Sequence, residues 1–170
     1  MTAPFTRVLV PTDFSEAADA ALSYARALAA APGSSIHLLH VFSDPFTMAA
    51  YAPEVYVPLP PDVREDAVND IRRRLQERLE AGGTPRPGDT IDVATGLTAK
   101  AIVEYAAAHG IDVIVMGTHG RRGVAHMLLG SVAEHVVRTA HCPVLTVRGT
   151  PAAAAAAAGP SRAGSAAHAG

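Results

Sequence analysis

Cysteine is nearly missing from this chain: Cys142 is the only one. A single thiol excludes an internal disulfide and fits a reducing compartment, so the expectation is a cytoplasmic protein. No apolar run reaches the roughly 18 residues that a membrane-spanning helix requires. The opening MTAPFTRVLV has no charged leader, apolar core and cleavage site, so no signal peptide is expected. There is no charge excess either. Fourteen Lys and Arg stand against sixteen Asp and Glu, a net charge of −2. That balance gives no electrostatic footprint for nucleic acid or for an anionic membrane, and neither is expected as a partner. Two common phosphate-loop signatures, G-x-G-x-x-G and G-x-x-x-x-G-K-[ST], are also absent, which removes the dinucleotide fingerprint and the P-loop.

What the chain does have is glycine in a particular place. Residues 113–132 read VIVMGTHGRRGVAHMLLGSV. An apolar run ends at Met116, Gly117 and Gly120 follow, and Gly130-Ser131 opens the next helical pattern, a spacing of G-x2-G-x9-G-S. Glycine lets a backbone approach a ligand closely and adopt positive φ. A helix beginning near Ser131 would turn its unpaired N–H groups and positive dipole end toward an anion. The same four residues, Ser131-Val132-Ala133-Glu134, also spell a capping box, S-x-x-E.

Either side of this stretch, strands alternate with helices. Residues 7–10 (RVLV) form a short buried strand ended by Pro11. Asp13 or Ser15 then caps a helix running to about Ala31, with Leu22, Ala25, Leu28 and Ala29 as its apolar stripe. Residues 35–41 (SIHLLHV) are a second strand. The connection over 42–61 carries Pro45, Pro53, Pro58, Pro60 and Pro61 with Phe46, Met48, Tyr51 and Tyr56. It reads equally as a lid or as a tolerated insertion. A helix over 62–81 presents Val68, Ile71, Leu75 and Leu79. Residues 90–95 alternate like a half-exposed edge strand, and a helix over 99–109 closes at Gly110. Residues 112–116 are a strand, 131–140 a helix with Val132, Val136 and Val137 inward, and 143–147 (PVLTV) a last strand. Residues 149–170 are almost all Ala, Gly, Pro and Ser, and are expected to be a disordered tail after one domain over 1–148.

Alternating strands and helices imply a parallel sheet with helices on both faces. Such sheets bind ligands beyond the carboxyl ends of their strands, where the strand order reverses. Two carboxyl-end loops carry the informative residues: Pro11-Thr12-Asp13, and the loop that begins at Gly117.

Four signatures now acquire a common meaning: VLVPTDFS at 8–15, DVIVMGTHGRRG at 112–123, LLGSVAEHVV at 128–137 and HCPVLTVR at 141–148. Together they resemble the universal stress protein family over residues 6–148, and the glycine spacing resembles its ATP-binding branch. The resemblance implies a doubly wound, Rossmann-like five-stranded parallel sheet in the order 3-2-1-4-5. It implies a homodimer through the last strand, 143–147, which would otherwise be a bare apolar edge. It implies that ATP, with phosphate-bound Mg²⁺, is the ligand; no residue clearly counts phosphates, so AMP or a cyclic nucleotide stays open as the alternative.

The resemblance also distributes roles. Gly117 and Gly120 would admit the phosphates or ribose to the backbone. Gly130 and Ser131 would hold the outer phosphates at a helix start. Asp13 would meet the adenosine moiety or help hold Mg²⁺, and otherwise is a helix cap. Val41 would offer backbone groups to the adenine edge, and Pro11 and Thr12 would line the same pocket. Met116, His119, Arg121 and Val132 complete the candidate set. Arg121 and Arg122 screen phosphate or are simply solvated. His119 and His126 lack a third ligand, so a zinc site is rejected. Cys142 reads as a small buried hydrophobe. No general base, water-holding Gln or arginine finger is evident. A regulatory nucleotide binder is therefore expected ahead of a slow ATPase, an autophosphorylating protein or a nucleotide-free interaction module.

Overall fold

A computed structural model describes residues 5–42, 60–118 and 129–148. Five strands and four helices alternate along it: β1 (Arg7–Pro11), α1 (Glu16–Leu28), β2 (Ser35–Phe42), α2 (Pro61–Ala81), β3 (Thr90–Thr95), α3 (Thr98–Ala108), β4 (Val113–Gly117), α4 (Ser131–Thr139) and β5 (Val144–Val147). All strand pairs are parallel, and the sheet order is β3-β2-β1-β4-β5. The expected doubly wound sheet is therefore the observed one.

Side-chain alternation along each strand sorts the core into two layers. Val8 and Val10 of β1, Ile36 and Leu38 of β2, and Val113 and Val115 of β4 face α1 and α2. There they meet Ala21, Leu22 and Ala25 of α1 and Ile71, Leu75 and Leu79 of α2. Leu9, Leu39, Val41, Ile114 and Met116 point the other way, against Ala101, Ile102 and Ala106 of α3 and Ala133 and Val136 of α4. β1 and β4 are central and covered on both faces, so their sequences are almost continuously apolar. β3 is an edge strand whose central residues are half-buried, and its polar neighbours read accordingly.

The edges of several elements depart from expectation. α1 stops at Leu28, with its cap N–H at Ala29 returning to Ala25 O, and Gly33 at φ 83 turns the chain toward β2. β2 extends one residue further, to Phe42. β4 begins at Val113; Asp112, just before it, donates its N–H to Arg7 O at 2.9 Å and accepts with its side chain. Pro143 precedes β5 and contributes only its carbonyl, which accepts the Ile114 N–H at 3.0 Å. Val137 does not face inward: it is 48% exposed, and Ala133 takes the buried position beside Val136.

Most of the 42–61 connection, the middle of the glycine-bearing loop and the 149–170 segment lie outside the described residues. No helix among the described residues is long and apolar enough to cross a membrane.

Candidate functional site

β1 and β4 lie side by side, yet the crossovers that follow them go to opposite faces. Their carboxyl ends form the crease at which a parallel sheet receives ligands. The sequence-derived candidates Pro11, Thr12 and Asp13 leave β1 there, and Met116 and Gly117 end β4 there. Val41 sits near the end of β2 on the other side of β1. Gly130, Ser131 and Val132 form the start of α4. Nine of the twelve candidate positions are thus brought to one end of the sheet. His119, Gly120 and Arg121 lie outside the described residues.

The β1–α1 loop is held by short local bonds. Thr12 is buried, and its N–H donates to Leu39 O at 2.8 Å, carrying the β1–β2 pairing one step past Pro11. Thr12 Oγ1 accepts the Phe14 N–H at 3.0 Å, and Asp13 Oδ1 accepts the Ser15 N–H at 3.1 Å. Ser15 is the helix cap: its Oγ accepts the Ala18 N–H at 3.3 Å. Of the two cap candidates the serine therefore fills the role. Asp13 makes the turn before it, leaving its carboxylate at the crease.

Gly117 is needed for a reason the sequence did not display. Its φ is not positive; a Cβ there would stand 2.9 Å from Ala17 Cβ and 3.0 Å from the Ala17 carbonyl carbon. The first turn of α1 therefore rests directly on the end of β4, and glycine is the residue that permits this approach. Beyond it, Thr118 is buried. Its N–H donates to Val147 O at 2.8 Å and its carbonyl accepts the Gly130 N–H at 2.7 Å. The excursion that begins after Thr118 thus returns to its own starting point, and α4 starts next to the end of β4.

The expected capping box is not formed. Gly130, in extended conformation, is the N-cap of α4, and no side chain caps the helix. Ser131 is thereby the first helical residue, and Glu134 falls one position too late to reach back. Its carboxylate pairs instead with Arg138 at 3.0 Å. With its hydroxyl not used as a cap, exposed Ser131 stands at a helix N-terminus whose free N–H groups favour an anion. Met116 and Val41 are both buried in the layer shared with α3 and α4, and Pro11 is buried in β1, so all three can meet a ligand only through main-chain atoms.

Several participants were not legible beforehand. His40 Nδ1 lies 2.8 Å from Thr12 O; a carbonyl only accepts, so Nδ1 carries the proton. The ring of His40 stacks on Phe14 at 4.8 Å between centroids. Arg74 and Arg78 of α2 hold their guanidinium carbons 4.0 and 4.9 Å from the Phe14 ring centre. A histidine breaking an otherwise apolar strand beside a loop was the available signal for His40; nothing pointed to the arginines. Among the described residues no cluster of three or more His, Cys, Asp or Glu side chains could hold a metal ion. Cys142 is half-buried, and burial raises its thiol pKa above the ordinary value.

Comparison with known proteins places this geometry in a family. The universal stress protein family model matches residues 4–148. Universal stress protein MJ0577 of Methanocaldococcus jannaschii is 31% identical over 162 residues, covering 87% of this chain and 98% of the relative. A solved structure of MJ0577 superposes with a TM-score of 0.70 at 26% identity, covering 87% of this chain and 99% of the other. A universal stress protein solved in complex with cAMP superposes at 0.59 with 25% identity, covering 86% and 98%.

Proposed function

The chain belongs to the universal stress protein family, and from that premise we propose that it is a regulatory module that binds an adenine nucleotide, ATP in the first place, at the β1/β4 crease. The observation that carries this reading is the bond from Gly130 N–H to Thr118 O, 2.7 Å long. It sets the N-terminus of α4 beside the carboxyl end of β4, the strand next to β1, from whose end the Asp13 loop departs. A relative of the same fold, solved with cAMP, supports an adenine nucleotide as the ligand class.

In this reading the phosphates lie at Gly117, Gly120, Gly130 and Ser131, with backbone N–H groups and the Ser131 hydroxyl as donors. Val132 adds its N–H from the same turn, and His119 and Arg121 flank the phosphates. Asp13, Thr12, Pro11 and the main chain of Val41 and Met116 line the nucleoside end. Mg²⁺ would arrive on the phosphates. A carboxylate such as that of Asp13 suits a cation that keeps most of its water and takes the rest of its oxygens from its substrate. The regulatory effect would come from the different affinity of ATP for two arrangements of the 118–130 segment and of a dimer. The dimer partner is a second copy docking on edge strand β5, where Leu145 is 40% exposed.

Mass spectrometry of the purified protein, followed by calorimetry with ATP, AMP and cAMP with and without Mg²⁺, tests the reading. Co-purified or titratable ATP supports it. Heat only with AMP or cAMP replaces the ligand, and no heat with any of them refutes the site. ATP turnover that survives Ser131→Ala and is lost in Asp13→Asn would favour the enzyme instead.

A further inference from the structure

Phe14 is the one non-glycine residue among the described residues with positive φ, at 65°. Glycine is the usual occupant of that conformation, and a bulky side chain there is unfavourable unless its surroundings enforce it. Such outliers cluster where a loop must hold a particular shape for function. Here the residue lies directly between Asp13 and the helix cap Ser15, and the enforcing contacts are visible. The Phe14 ring stacks on His40, whose Nδ1–H is bonded to Thr12 O. Arg74 lies over the same ring, and Arg78 approaches it while donating from Nη2 to Phe14 O at 3.4 Å. Arg78 is itself held by Asp19 of α1, Nε to Oδ1 at 2.8 Å. Three elements, β2, α1 and α2, thus converge on one loop residue.

We propose that Phe14 is the positioning residue of the nucleotide site: its ring, clasped by His40, Arg74 and Arg78, holds residues 12–15 in the shape that aims Asp13 and Thr12 at the ligand. This rests on the reading of the crease as a nucleotide site. The left-handed turn at Phe14 reverses the chain, so that Thr12 Oγ1 accepts the Phe14 N–H and Asp13 Oδ1 accepts the Ser15 N–H. Without the ring, the loop keeps the bonds from His40 to Thr12 O and from Arg78 to Phe14 O but loses the stacking and cation–π contacts that enforce the turn, and samples other shapes. Affinity then falls in proportion to the fraction of molecules still carrying the competent one.

The test compares Phe14→Gly, Phe14→Tyr and Arg74→Gln with the wild-type chain, by calorimetric titration with ATP–Mg²⁺ and by amide hydrogen exchange without nucleotide. Phe14→Gly keeps access to positive φ and deletes the ring. If the competent loop population drops to about a tenth, its Kd rises about tenfold, and the amides at positions 14 and 15 exchange faster. Phe14→Tyr restores both readouts. Arg74→Gln, which leaves the loop sequence intact, shows the same changes to a smaller degree. A ring that served stability alone would lower the melting temperature yet leave the Kd of the folded protein unchanged. That result in Phe14→Gly, with wild-type binding intact, overturns the positioning role by itself. Absence of binding in the wild-type chain refutes the functional reading and this role together.

Discussion

The two ends of the sheet are built from different materials. At the amino end, charged side chains clamp the main chain across long sequence separations. Asp112 Oδ2 accepts the N–H groups of Thr6 and Arg7 at 2.8 Å each and the Thr6 hydroxyl at 2.7 Å. Arg7 Nη1 reaches His109 O at the end of α3, and Asp89 takes the N–H groups of Ile36 and Arg86 on its two oxygens. Arg26 donates to Arg78 O and Leu79 O, satisfying carbonyls that the end of α2 leaves open. At the carboxyl end local bonds, Thr12 to Phe14, Asp13 to Ser15 and Ser15 to Ala18, shape the loop itself, and His40 and Arg78 tie it to β2 and α2. One end staples the strands; the other gathers the β1–α1 loop and the N-termini of α1 and α4. The difference teaches where perturbation should read out as stability and where as affinity.

The largest expected effect is at the one point where the carboxyl end is also tightly packed. Gly117→Ala drives a methyl group into the Ala17 backbone. Overpacking of this kind costs about 1–3 kcal/mol, so urea unfolding should show a loss of that size together with weakened nucleotide binding. Loss of affinity with unchanged stability would mean that α1 yields freely and that the glycine serves the ligand alone. Next comes Asp112→Asn, which weakens three bonds at the amino end. A stability loss of about 1–2 kcal/mol is expected with an unaltered Kd; a changed Kd would dissolve the distinction between the ends.

The pH dependence sharpens the same contrast. The Thr6 hydroxyl bond, followed by the backbone N–H groups of Arg7 and Thr6, holds the Asp112 carboxyl below its ordinary pKa of 3.8. Its contribution is therefore complete above that value and is lost as pH falls through the lower folded pKa. His37, whose Nδ1 lies 3.2 Å from Tyr105 Oη, behaves in a related way. Burial first, then the nearby His109 and Arg7, lower its pKa from 6.5. The folded state prefers the neutral ring, so stability declines as pH drops below about 6.5 and levels off once the folded form also takes the proton. His37→Gln should flatten that decline, as followed by thermal unfolding between neutral and mildly acidic buffer. The smallest stability change is expected at Ser131. Because its hydroxyl does not cap α4, Ser131→Ala should shift stability by no more than about 0.5 kcal/mol. It should still weaken ATP binding, a combination that no amino-end variant should share.

Much of the layout was legible because each layer speaks in its own period. The alternation of Val8, Leu9 and Val10, or of Val113, Ile114 and Val115, needed only the rule that strands send successive side chains to opposite faces. The glycine spacing pointed to the crease before the crease was visible. What stayed hidden depended on distance or on competition. Ala17 and Gly117 touch across a hundred residues of sequence, so the steric reason for that glycine was not readable. Gly130 and Ser131 are both competent caps, and tertiary placement decided in favour of the first; that single-residue offset dissolved the capping box. Asp112 stands one residue before the strand, and the clamp its carboxylate makes on Thr6 and Arg7 was not readable, because those partners lie at the other end of the chain.

On the proposed reading the carboxyl end of β1 and β4 holds an adenine nucleotide while the amino end only holds the fold. A backbone amide NMR titration with ATP–Mg²⁺ tests it most directly. Shifts are expected at Thr12, Asp13, Ser15, Gly117, Thr118 and Gly130 to Val132, with Thr6, Arg7, Ile36 and Asp112 unmoved. A spectrum left unchanged at saturating nucleotide, or one whose shifts gather at the amino end, would contradict it.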